Sequence, residues 1–182
     1  EAGWLVVNVD IVVIAERPAA SLADLDVAAA GVPMVLFLKE INNPSNLGAI
    51  FRTAEAAGIA GVIVSTGSAD AFSPKALRAA MGSNLRRPVV EGVSFDAALG
   101  WARDNGLVVT ATVAGGAVSY IDIDWKRPRM LVLGSEAHGL SDRELEAVHE
   151  TVTIPMANGV ESLNLGVAAG ILMFEARRLN KT

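Results

Sequence analysis

The chain has 182 residues, enough for one domain with a substantial core, and 52% of them are hydrophobic. It has no cysteine, which excludes a disulfide framework and a zinc–thiolate site, and its longest apolar runs, LVVNVDIVVI and MVLFLKEI, fall short of the ~18 residues that span a bilayer. The net charge of −5 is unevenly spread: residues 1–38 carry five acids against Arg17 alone, whereas 72–90 carry Lys75, Arg78, Arg86 and Arg87 with no acid.

The opening EAGWLVVNVD lacks a basic n-region and a small-residue cleavage site, so no secretory signal is expected and the cytoplasm is the expected compartment. It also lacks an initiator Met, as a piece of a longer protein would. A first strand is predicted over 5–14. The segment ERPAASLADLDVAAAGVP then reads as a linker with one helical turn in SLADLDVAAA. From there apolar runs at 34–39, 61–65, 88–92, 107–113, 129–134 and 151–155 predict strands, and 46–57, 73–81, 94–104, 141–149 and 162–179 predict helices. Ser73-Pro74 signals a helix start, Ser141-x-x-Glu144 is a capping box, and Ser94 precedes the apolar positions of a third helix. This alternation predicts an α/β fold with a mostly parallel sheet flanked by helices.

Nucleotide fingerprints are missing. There is neither G-x-G-x-x-G nor G-x-x-x-x-G-K-[ST], which removes support for a dinucleotide oxidoreductase or an ATP enzyme. His138 and His149 belong to no triad-like order. His138 reads as a loop bystander and His149 as an exposed helix C-cap. No cluster of His and acidic ligands suggests a metal.

Three polar clusters stand at strand ends. In NNPSNLGAIFRTAEAAG (42–58), Pro44 turns the chain, Asn46 is placed to cap the helix, Gly48 permits close backbone approach, and Arg52 lies among alanines where its guanidinium can reach a phosphate or carboxylate. A plain N-cap plus a surface arginine accounts for this equally well. In LVLGSEAHGLSDRELE (131–146), Gly134 and Gly139 bracket Glu136, as in a loop that hugs a ligand or in an ordinary capped loop. In IPMANGVESLNLGVAAG (154–170), Ser162 and Asn164 open a helix whose N-terminus offers donors to a ligand. Gly166, Ala169, Gly170 and Met173 form a small-residue stripe suited to close packing, plausible at a dimer interface, while Leu163, Val167, Ile171 and Phe174 read as core.

Taken in order, NPSNLGAIFRTA, LVLGSEAHGLS and IPMANGVESLNLGVAAG resemble the three motifs of the SpoU-like (TrmH-type) RNA 2′-O-ribose methyltransferases of the SPOUT superfamily, over about residues 34–180. FSPKALRAAMG resembles the family's central region, where basic residues face RNA. The resemblance implies a deep C-terminal trefoil knot, S-adenosylmethionine (SAM) as cofactor, and a homodimer whose active sites are shared between subunits. By position it makes Arg52, Asn46, Glu136, Asn164 and Ser162 catalytic. It places Gly134, Glu136, Gly139, Ile154, Met156, Leu163 and Thr112 against the cofactor, and Lys75, Arg78, Arg86 and Arg87 against RNA. No metal is implied. Two positions depart from the motifs: Asn43, where an acid is frequent, and Gly166, where Ser is frequent and the dimer contact or pocket floor is affected.

A guanidinium is a poor base, so Arg52 from the partner subunit is expected to bind phosphate and stabilise charge developing on the ribose oxygen. Residues 1–33 read as the end of an upstream substrate-recognition domain plus linker, and 34–182 as the methyltransferase domain. This favours ribosomal RNA over tRNA. The rival from another class is a non-catalytic RNA-binding module of the same fold.

Overall fold

The computed structural model describes residues 2–7, 11–115 and 118–180. The first strand expected over 5–14 is instead a pair, β1 (Ala2–Val7) and β2 (Ile11–Glu16), which run antiparallel with Val7 opposite Ile11. Residues 8–10, between the two strands, lie outside the described residues. This two-stranded sheet is separate from the main one and packs against a helix of it, α2 (Pro74–Ala80). A single 3-10 turn, Leu22–Asp24, is the helical turn expected in the linker.

The main sheet has seven strands, all parallel: β3 (Val32–Leu38), β4 (Ile59–Ser65), β5 (Val89–Val93), β6 (Val108–Thr112), β7 (Val118–Ser119), β8 (Arg129–Leu133) and β9 (Glu150–Thr153). Their order is β5-β4-β3-β8-β6-β9-β7. The remaining helices are α1 (Pro44–Ala57), α3 (Ser83–Arg86), α4 (Phe95–Asp104), α5 (Asp142–Glu146) and α6 (Leu165–Asn180).

Alternate side chains of β3 feed two apolar layers, as a strand buried on both faces must. Met34, Leu36 and Leu38 join Leu47, Ile50 and Phe51 of α1 and Leu172 and Met173 of α6. Val35 and Phe37 join Ala98 and Ala102 of α4 and Val109 of β6. At the N-terminal end of β8 the buried Arg129 pairs with Glu150 at 2.6 Å and lies 4.9 Å from the centre of the Trp125 ring. This charge tethers strands at the end of the sheet remote from Gly134.

Helix α6 differs from expectation in two ways. It begins at Leu165 rather than Ser162, because the Asn164 side chain caps it by accepting from the N–H groups of Gly166 (2.9 Å) and Val167 (3.3 Å). Its faces are also exchanged. Ala169, Leu172, Met173 and Ala176 are buried, whereas Val167 and Phe174 are 51% and 47% exposed. The two glycines face α1 of the same chain, and a Cβ on Gly170 would lie 3.6 Å from Thr53. Small residues serve the intrachain α1–α6 contact, and of the stripe expected in the core Val167 and Phe174 are left outside.

Candidate cofactor cavity and its polar rim

Parallel strands deliver their C-terminal ends to one edge of the sheet, the usual location of ligand sites in open α/β folds. Here Thr112 at the end of β6, Gly134 after β8, and Ile154 and Met156 after β9 meet around a cavity of about 360 Å³. Ser162, Leu163 and Asn164 close it from the extended segment before α6. All seven residues expected at the cofactor therefore line one cavity, together with Ser162 and Asn164.

The loop after β8 takes its shape from its glycines. A Cβ on Gly134 would come 2.6 Å from the carbonyl carbon of Gly139, a backbone clash with no flexible neighbour to yield. Gly139 itself adopts φ +63°. The loop closes on itself through Ser135 N–H to Gly139 O (3.2 Å) and Gly139 N–H to Ser135 O (2.8 Å).

Helix α1 starts two residues earlier than expected. Asn43, not Asn46, is its N-cap and accepts from the Ser45 N–H at 2.9 Å, with Pro44 in the first turn, where its missing N–H costs nothing. Asn46 is thereby released from capping. Its side-chain amide donates to Glu136 Oε1, and its Oδ1 accepts from Asn164 Nδ2 at 3.4 Å. One residue from each of the three polar clusters thus joins a single hydrogen-bonded rim. Gly48 permits the close approach expected of it: a Cβ there would lie 2.4 Å from the Ala76 carbonyl oxygen of α2.

Arg52 does not line the cavity of its own chain. It is exposed on α1 and makes no hydrogen bond or ion pair with the described residues. Lys75, Arg78 and Arg87 are likewise exposed and unpaired among the described residues. Arg86 is engaged within the chain: its Nε and Nη2 each donate to Glu55 at 2.7 Å, and Ser83 Oγ donates to the same carboxylate at 2.6 Å. Hydrogen bonds from Arg86, then from Ser83, hold the Glu55 carboxyl down at about 2.

His138 stands exposed in the loop. His149 is not a helix cap, because α5 ends three residues earlier; its Nδ1 accepts from the Val109 N–H at 2.9 Å and its N–H donates to Val109 O at 2.9 Å, tying β9 to β6. Among the described residues no group of three His, Cys, Asp or Glu side chains is placed to hold a metal, and no helix is long and apolar enough to cross a membrane. The cavity also takes in Val113, Ala114, Ser135, Leu165 and Ala168, which sequence reasoning did not single out. Their signal is positional only: they sit one or two residues beyond a strand end or in the first turn of α6.

Residues 33–174 match the model of the SpoU rRNA Methylase family. The chain belongs to this family. An uncharacterized tRNA/rRNA methyltransferase of Synechocystis is 40% identical over 143 residues, which cover 79% of this chain and 52% of that one. The SpoU methyltransferase AviRb from Streptomyces viridochromogenes, solved with AdoMet, superposes with a TM-score of 0.83 at 32% identity, covering 92% of this chain and 67% of that one. A structure described as an RNA 2′-O ribose methyltransferase superposes at 0.74 with 30% identity, covering 90% and 59%. The chain spans about half the length of the curated relatives it matches. SAM is the cofactor of the family, and the cavity suits it. Its volume lies in the range of small-molecule sites, its wall is largely apolar through Val113, Val152, Ile154, Leu163 and Leu172, and its polar groups are few and collected at the rim.

Proposed function

We propose that this chain methylates the ribose 2′-hydroxyl of RNA, ribosomal RNA in particular. The observation that carries the reading is the Glu136–Asn46–Asn164 rim at the mouth of the cavity built from the second and third polar clusters. SAM held there supplies an electrophilic methyl group. The backbone of the Gly134–Gly139 loop and the segment around Met156 and Leu163 hold it against the ends of β6, β8 and β9. Asn46 and Asn164 orient the ribose, Glu136 fixes Asn46, and Ser162 steadies the segment entering α6. Fixing both reactants in register is worth up to ~7–11 kcal/mol of the barrier.

Arg52 acts on the neighbouring copy. Its exposure and its absence from its own cavity support a site shared in a homodimer, in which Arg52 of the partner subunit binds the RNA phosphate and stabilises the developing alkoxide. The exposed Val167 and Phe174 on α6 supply the apolar surface for that dimer. Lys75, Arg78 and Arg87 extend the RNA surface along α2 and α3, with Arg86 holding their scaffold. The C-terminal part of the sheet forms the deep trefoil knot that the family resemblance implies. Residues 1–33, whose two strands β1 and β2 stand outside the seven-stranded sheet, serve as the end of an upstream recognition unit plus linker, a reading that favours ribosomal RNA.

The test is incubation with methyl-labelled SAM and, separately, ribosomal RNA and tRNA, followed by alkaline hydrolysis. A 2′-O-methyl group blocks cleavage, so the expected label is in alkali-stable dinucleotides from ribosomal RNA. Label in mononucleotides overturns ribose methylation, and label in tRNA alone overturns the substrate. SAM binding with no transfer to any RNA identifies a non-catalytic module.

A further inference from the structure

We propose that Lys39 is a positioning residue that holds the cofactor loop in shape from outside the cavity, an inference that rests on the SAM reading of that cavity. Lys39 directly follows β3, and its backbone N–H donates to Leu133 O at 2.9 Å, which carries the β3–β8 ladder to the last residue before Gly134. Its Nζ lies 2.7 Å from Glu144 Oε2, with only 16% and 14% of the two side chains exposed. The same oxygen accepts from the Ser141 N–H at 2.8 Å and the Ser141 hydroxyl at 2.6 Å. One lysine therefore grips both ends of the loop: its entry by the backbone, and its exit through Glu144 and Ser141.

The loop needs this second anchor. Helix α5, which receives it, has five residues, too few to stand without tertiary support. Between the anchors, Gly134, Ser135, Glu136 and Gly139 form one wall of the cavity. Neither Lys39 nor Glu144 touches the cavity, so any effect on the cofactor passes through the loop. Glu144 is held ionised for this purpose. Burial disfavours its charge, but the hydrogen bonds from Lys39 and Ser141 outweigh it and bring the carboxyl below its usual range.

The experiment is SAM titration by calorimetry of the whole chain and of Lys39→Met, Lys39→Arg and Arg17→Met. Arg17→Met is the control, since it removes an ion-pair clasp to Asp70 and Glu91 at the β5 edge of the sheet. Lys39→Met is expected to raise the Kd roughly tenfold through lost preorganisation, and Lys39→Arg and Arg17→Met to stay within about twofold of the parent. Hydrogen exchange at residues 135–140 is expected to quicken in Lys39→Met and to remain unchanged in α1. If Lys39→Met does not fold, Glu144→Gln carries the same expectation. A Lys39→Met Kd within twofold of the parent, or Lys39→Arg as weak as Lys39→Met, overturns the proposal while leaving the cofactor reading intact. A folded parent that takes up no SAM overturns both.

Discussion

The side-chain amide of Asn46 donates to the carboxylate of Glu136, ninety residues further along the chain. This contact joins the start of α1 to the loop after β8 at the mouth of the cavity. Replacing Asn46 by Asp sets two carboxylates against each other with no donor between them, and their repulsion replaces the hydrogen bond until the pH falls far enough to supply a proton. Asn46→Asp is expected to lose more methyl transfer at neutral pH than Asn46→Ala, and to regain part of it as the pH falls. A pH–rate profile of both variants at saturating SAM reads this out; parallel profiles contradict it.

Arg52→Ala is expected to reduce transfer by ~10²–10³-fold, as loss of an oxyanion-stabilising donor does elsewhere, while the SAM Kd stays within about twofold. Single-turnover rates and calorimetry measure the two separately. A collapse of SAM binding would return Arg52 to its own cavity.

A shared site allows complementation. Arg52→Ala and Asn46→Ala chains, each impaired alone, are expected to recover activity when mixed and allowed to exchange subunits, because every heterodimer contains one intact site. Val167→Asp with Phe174→Asp is expected to give a monomer by light scattering that still folds. Activity retained in that monomer would exclude the shared site.

Neutralising Lys75, Arg78 and Arg87 is expected to flatten the salt dependence of RNA binding by up to ~0.7–0.9 in slope for each phosphate no longer neutralised. Arg86→Met should act mainly on stability. Glu55 is depressed from 4.5 to about 2 in the folded chain, so its contribution is full above pH 4.5 and disappears as the pH falls towards 2. Urea midpoints across that window are expected to fall less steeply in Arg86→Met than in the parent.

The sheet and most helices were legible because their residues repeat with the right period: β3 and β8 are apolar on both faces, and Ser73-Pro74 marks α2. The starts of α1 and α6 were not. Each offered more than one polar residue within four positions, and only the folded backbone decides that Asn43 and Asn164 cap while Asn46 is left free. The faces of α6 were misread because hydrophobicity shows what can be buried, not against what. Ala169 and the two glycines lie against α1, with Leu172 and Met173 buried in the same layer. The gathering of Thr112, Gly134 and Met156 around one cavity was legible through resemblance, since no local pattern joins residues that far apart. The Lys39–Glu144 pair had no signal at all, because a lysine after a strand is ordinarily solvated.

Asn164 caps α6 with its oxygen and serves the rim with its nitrogen. Asn46 emerges from the ribosome long before this residue is made, and the cavity wall from Thr112 to Leu172 is completed only as α6 forms. A nascent chain has no place for the cofactor until α6 is laid down. SAM therefore acts as a ligand of the finished fold and not as a template for it, and its protection against heat should appear as one cooperative shift of the whole domain.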